Sequence, residues 1–236
     1  MPGLTTRDSL VLKTLFDPEA STTPAKHASS QTSLPGMAED QFSIHRSTEL
    51  RIISQLQSDT SDLKNVHKAI NDLSSLIEHS PGYASAYVNR AQANRLLIPT
   101  SGLFTSDYAE ASGQLLKDLQ KGIQLAAPPT PDQQLSTHQT TVLAAACTHR
   151  GFLLLKIADI IRSDEQVHGV SDTLQSASAE SVEEQASKDF AAGGQYGSKE
   201  AREMAVRTNP YAKMCGAIVK EALKKEQEEW KASQLC

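Results

Sequence analysis

Residues 87–96 read YVNRAQANRL and residues 147–156 read CTHRGFLLLK. Set one above the other, they align Arg90 with Arg150 and, at the next position, the small residues Ala91 and Gly151. Each stretch lies inside a helix-period segment, over 84–97 and 141–161. A small residue in mid-helix lets a second helix cross closely, where a larger side chain would hold the two apart. The recurrence predicts helix pairs that stack, because one such pair cannot bury its apolar face alone.

Working outward, Ser47 opens a helix with Leu50, Ile52, Ile53 and Leu56 in one stripe, and Asp59-Thr60-Ser61-Asp62 interrupts it. Residues 63–77 carry Val66, Ala69, Ile70, Leu73, Leu76 and Ile77 on one side and stop at Pro81-Gly82. Helix, turn, helix, proline is the unit. A break over 98–107 separates 84–97 from a helix over 108–126, which ends before Pro128-Pro129-Thr130-Pro131; the third copy starts at 141–161 and resumes at 182–192. LSSLIEHSP (73–81), LKDLQKGIQL (116–125) and ASKDFAAGGQYG (186–197) occupy equivalent second helices.

The expected fold is all-α: a short solenoid of about three helix pairs plus a C-terminal capping helix. Its repeats fall at about 47–81, 84–127 and 141–197, with capping helices over 198–232, in one domain spanning 41–232. Leu12, Leu15 and Phe16 predict a short helix within 1–17. Residues 18–40, rich in Ser, Thr, Pro and Ala, are expected to form a disordered linker, and the acidic, Ser-rich stretch 163–180 a disordered insert.

Composition narrows the function. Aromatic residues make up only 5% of the chain, so the core must be built largely from Ala, Leu, Ile and Val. The net charge is −5 and Lys and Arg are dispersed, which argues against a nucleic-acid partner. Apolar runs such as 151–155 fall short of the roughly 20 residues of a membrane span. The N-terminus MPGLTTRDSLVLK lacks a targeting pattern, and Cys147, Cys215 and Cys236 form no C-x-x-C pair. A cytoplasmic or nuclear location is expected. The seven histidines are scattered, and Gly193-Gly194-Gln195-Tyr196-Gly197 follows a helix with no Lys-Ser or Lys-Thr after it. It reads as a tight turn between helices, and no catalytic residue, metal ligand or cofactor is expected.

These segments resemble the tetratricopeptide repeat, a helix pair of about 34 residues. Ala69, Leu73 and Pro81 match its pattern in the first copy, Tyr87, Ala91 and Leu119 in the second, and Gly151, Ala186 and Phe190 in the third. From Asp8 to about Lys225 the chain resembles the tetratricopeptide repeat protein 36 family. The resemblance is carried by LVLKTLFDP at 10–18, ASAYVNRAQA at 84–93, Arg150-Gly151 and NPYAKMC at 209–215, the last outside the repeat consensus. It implies three repeats with a terminal helix and no catalytic residues. It further implies a protein partner: a client enzyme of tyrosine catabolism, or a heat-shock chaperone. Insertions at 98–107 and 159–182 depart from the compact family pattern.

On this reading Tyr87, Asn89, Arg90, His149 and Arg150 are the candidate partner-binding residues of the concave face. Chaperone tails are held by such repeats through a clamp of Lys, Asn and Arg donors. The corresponding positions here are Ser54, Ser58, Asn89, Ala145 and His149, and only Asn89 fits, which argues against that mode. Asn89 can bond a partner backbone or a neighbouring helix. Arg90 and Arg150 can face the groove or pair with Asp118 and Asp189. Asn209, Pro210 and Tyr211 read as the structural cap that begins the terminal helix.

Overall fold

A computed structural model describes residues 34, 36–58, 63–128, 130, 133–209, 218–227 and 230. Its α-helices are α1 (Glu39–Ser58), α2 (Leu63–His79), α3 (Ala84–Leu97), α4 (Ala109–Ala126), α5 (Thr137–Arg162), α6 (Asp172–Gln175), α7 (Ala179–Gln195) and α8 (Lys199–Thr208). Residues 218–227 form α9. Two 3-10 turns, Thr100–Gly102 and Ser106–Tyr108, bridge α3 and α4.

Serine caps set where several of these helices begin. The Ser136 hydroxyl accepts the Gln139 N–H at 3.1 Å, and the Gln139 side chain accepts the Ser136 N–H at 2.9 Å. This reciprocal capping box starts α5 four residues before the expected Thr141. Ser171, Ser178 and Ser198 cap α6, α7 and α8 in the same sense, each accepting an N–H three residues on. The α7–α8 turn closes through Gly197, at φ +108°, with the Ser198 N–H donating to the Gly193 carbonyl at 3.0 Å.

From α1 to α5 each helix packs against the next, α5 packs on α7, and α7 on α8. The pairs α1/α2, α3/α4 and α5/α7 are three repeats, and α8 covers the end of the third, giving an all-α repeat solenoid. Leu73, Tyr83, Leu115, Leu119, Leu143, Ile157, Val182 and Phe190 form its core, each at most 1% exposed. Burying a side chain of this size stabilises by about 1.5–3 kcal/mol. The third pair crosses closely: a Cβ placed on Gly151 would stand 2.8 Å from the Phe190 ring.

Three expectations change. The stretch 163–180 is folded, because the serines that suggested disorder are helix caps and Val167 is buried at 3%. The linker ends earlier than 40: Leu34 is buried at 3%, and α1 starts at Glu39 so that Phe42, also 3% exposed, can reach the Tyr83 ring edge-on at 6.3 Å. Finally, α5 is, by length and composition, long and apolar enough to cross a membrane, although more than half of its apolar window is buried within the stack. The helix expected within 1–17, most of 18–40 and the Asp59–Asp62 interruption lie outside the described residues.

Candidate functional site

The first helices α1, α3 and α5 are tied together side by side. Asn89 on α3 donates its amide to Glu49 on α1 at 2.5 Å, and to the Ser85 hydroxyl at 3.3 Å. Glu49, only 3% exposed, takes a second bond at 2.7 Å from the Tyr83 hydroxyl. Burial and the neighbouring Glu49 carboxylate both raise the Tyr83 pKa, so this phenol stays a donor. Arg46 on α1 donates to Nδ1 of His138 on α5 at 2.8 Å. Phe42 meets the His138 ring edge-on at 5.0 Å, and Tyr83 stacks on it at 6.0 Å. Burial, with Arg46 beside it, pushes the His138 pKa down to about 4.

Asn89 is therefore occupied by a carboxylate of its own chain. Its amide N–H donates within the chain, which is the neighbouring-helix alternative that the sequence left open. At 3.6 residues per turn Glu49, and not Leu50, falls in phase with Ile52, Ile53 and Leu56; Glu49 accordingly takes the buried place expected for Leu50, which is 53% exposed, and the crossing of α1 over α3 brings its carboxylate to Asn89.

Beyond this network the joined face opens into a notch of about 650 Å³ between α3, α5 and the α7–α8 turn. Gln92, Thr141, Ala145, His149, Phe152 and Tyr196 are among its walls. His149 Nδ1 is buried there and has no hydrogen-bond partner. Burial, then Arg95, pushes the His149 pKa down to about 4, so its ring is neutral at physiological pH. A neutral imidazole offers no charge to a carboxylate.

The other three candidates face elsewhere. Tyr87 is buried, donates its hydroxyl to the Pro81 carbonyl at 3.2 Å and lies 5.8 Å beneath the Arg90 guanidinium. Arg90 reaches Asp118 on α4 through Nε at 2.8 Å and Nη2 at 2.7 Å. Arg150 reaches Asp189 on α7 through Nε and Nη2, both at 2.6 Å, and also bonds Gln120. The bond from Asp118 leads the causes that raise the Arg90 pKa; for Arg150 burial opposes and Asp189 outweighs it. Both guanidiniums join the first helix of a repeat to its second, and of the five candidates only His149 lines the notch.

Asn209 ends α8 with extended backbone, while Pro210 and Tyr211 lie outside the described residues. Cys147 is buried and its thiol is pushed up to about 12, mainly by burial, which makes it a poor nucleophile. Among the described residues no three His, Cys, Asp or Glu side chains gather where they could hold a metal ion.

The chain is 44% identical to the L-tyrosine degradation gene cluster protein hmgX of Aspergillus fumigatus, over 96% of its own length and 94% of that protein's. It is 28% identical to the tetratricopeptide repeat protein 36 homolog of Drosophila pseudoobscura pseudoobscura and 27% identical to that of Drosophila melanogaster. Each of these matches covers 93% of this chain and 94% of the relative. No protein-family model matches the chain, and no solved structure matches it.

Proposed function

Because the chain belongs to the tetratricopeptide repeat protein 36 family, we propose that it is a non-catalytic scaffold that holds another protein against its first-helix face and supports an enzyme of tyrosine degradation. The observation that carries this reading is the notch beside His149, an open recess of about 650 Å³ on the first-helix face with the small residues Ala144, Ala145 and Gly197 among its walls. The link to tyrosine rests on the name of the Aspergillus relative. The proposed setting is the cytoplasm, with the nucleus as the other compartment.

A role as a chaperone cofactor is the second reading, and the geometry speaks against it. Glu49 already holds Asn89, and the third-repeat clamp positions carry Ala145 and a neutral His149. Clamp-type recognition needs cationic donors at those places.

The test is affinity capture from cells grown on tyrosine, comparing the wild-type chain with an Ala145→Arg/Gln92→Glu variant whose substitutions narrow the notch. Capture of a tyrosine-degrading enzyme by the wild type, lost in the variant at unchanged melting temperature, is the expected result. Equal capture by both would remove the notch from the binding site. Calorimetry with a peptide ending Glu-Glu-Val-Asp addresses the chaperone reading, for which no heat is expected.

A further inference from the structure

The first helix of the stack is held in place differently from the later ones. Among the described residues of α1 only Phe42, Glu49 and Ile52 are buried, with Leu34 ahead of them, while Ile44 and Leu50 are 63% and 53% exposed. By contrast, α5 buries side chains along its whole length. Elements with few buried apolar contacts open at the lowest cost in free energy. Whether α1 stays docked therefore depends on its polar joints. Glu49 takes its bonds from Tyr83 and Asn89, His45 Nε2 and the Ser80 hydroxyl share one at 2.6 Å, and Arg46 reaches His138.

The last of these joints has a fixed polarity. A guanidinium can only donate, so Nδ1 of His138 is the bare nitrogen and Nε2 carries the proton. That N–H is buried and meets no acceptor, and the ring lies between Phe42 and Tyr83. A proton on Nδ1 removes the acceptor and sets two cations against each other across 2.8 Å. Around this joint His45, Arg46 and Glu49 approach from α1 and Tyr83 from the start of α3, while α5 carries no charged side chain from Gln139 to Thr148. Glu49, the carboxylate of the group, is already engaged by Tyr83 and Asn89. On its other side α1 meets α2, where Lys68 and Asp72 pair with each other and His79 bonds the Ser75 carbonyl.

We propose that α1 is an acid-released latch: protonation of His138 breaks its joint with Arg46, and α1 leaves the stack while the later repeats stay folded. Release uncovers the Tyr83 hydroxyl and the Asn89 amide that Glu49 now occupies. In the docked state burial, then Arg46, pushes the His138 pKa down to about 4, whereas an uncovered histidine titrates near 6.5. Docking is therefore at full strength above about pH 6.5 and weakens as pH falls, by about twentyfold between pH 7 and pH 5, until the docked ring itself protonates near 4. This inference goes beyond the scaffold reading and rests on no part of it.

Hydrogen exchange of the full-length chain, read by mass spectrometry at pH 7 and pH 5 and corrected for the intrinsic rate at each pH, separates the helices. Protection over α1 is expected to lie at least about tenfold below that over α7. It should fall about twentyfold from pH 7 to pH 5. His138→Phe keeps an aromatic ring in place and His138→Gln keeps an acceptor; in whichever folds, the α1 slope should flatten. His45→Gln and Glu49→Gln should leave the slope in place. So should His149→Gln, because His149 stays buried when α1 alone departs. Equal protection of α1 and α7 would mean that the stack opens as one body. That result, a pH-independent α1, an unchanged slope in the His138 variants or a slope lost in His149→Gln overturns the proposal.

Discussion

Arg150 and Asp189 meet in a two-bonded fork, both contacts 2.6 Å, across the crossing of α5 and α7. Arg90 and Asp118 repeat the arrangement one unit earlier, with the Asp118 side chain only 3% exposed. Removing one partner of such a pair leaves the other charge desolvated and costs about 3–5 kcal/mol. Arg90→Ala should lose most of that amount in urea unfolding, and Arg90→Ala/Asp118→Ala appreciably less than the two single losses added together. Strict additivity would show that the pair is not coupled.

Gly151→Ala tests the close crossing of the third repeat. The added methyl carbon stands 2.8 Å from the Phe190 ring, and Phe190 is fully buried, so it has little room to retreat. Overpacking of this kind costs about 1–3 kcal/mol. A lowered urea midpoint with an unchanged slope is the expected signature.

Acid should weaken the fold over a defined interval. His138 and His149 are held down at about 4, mainly by burial, while unfolded histidine titrates near 6.5. As pH falls below about 6.5 the unfolded chain binds protons that the folded chain does not, so stability declines until the folded sites protonate near 4. The combined loss is on the order of a few kcal/mol. Melting temperatures measured between neutral pH and pH 4 should fall, and His149→Gln should flatten the slope. An identical slope in the variant would remove His149 from the account.

The joined insertions can be separated. Gly169 sits at φ +77°, and an added Cβ would come 1.9 Å from the Ala109 carbonyl oxygen. Phe104, itself at φ +62°, is held by the His168 N–H and by its own N–H donated to Ser112 at 3.0 Å. A bulky side chain in that region carries strain of about 1–3 kcal/mol and persists only while its surroundings hold it. In Gly169→Ala the His168 amide should exchange with solvent markedly faster. Retained protection would mean that the strap tolerates the methyl group.

Burial should also silence Cys147, whose thiol is pushed up to about 12. Alkylation followed by mass spectrometry should leave Cys147 unmodified at pH 8 until denaturant is added. Rapid labelling of the native chain would show that α5 opens locally.

Helix periodicity, the small residues at 91 and 151 and the spaced prolines were enough to read three stacked helix pairs, because those signals are local and repeat. The alignment of Arg90 with Arg150 likewise marked a recurring position, and Asp118 and Asp189 could be named as partners from their place on the second helices. Serine content misled over 163–180: composition measures polarity, whereas a serine at a helix start satisfies a backbone N–H, and only the position within a fold separates the two.

What periodicity alone determined is most of the apolar faces, since 3.6-residue spacing groups the side chains that pack together; α1 departs from the expected stripe, with Leu50 53% exposed and Glu49 buried at 3%. Tertiary structure decided which polar groups remain for a partner. Asn89 was lost to Glu49, and Arg90 and Arg150 to their aspartates, because buried donors and carboxylates pair with whatever the crossing helices bring within reach. Nε2 of His138 and Nδ1 of His149 are buried with no hydrogen-bond partner, because the packing brought no group to meet them.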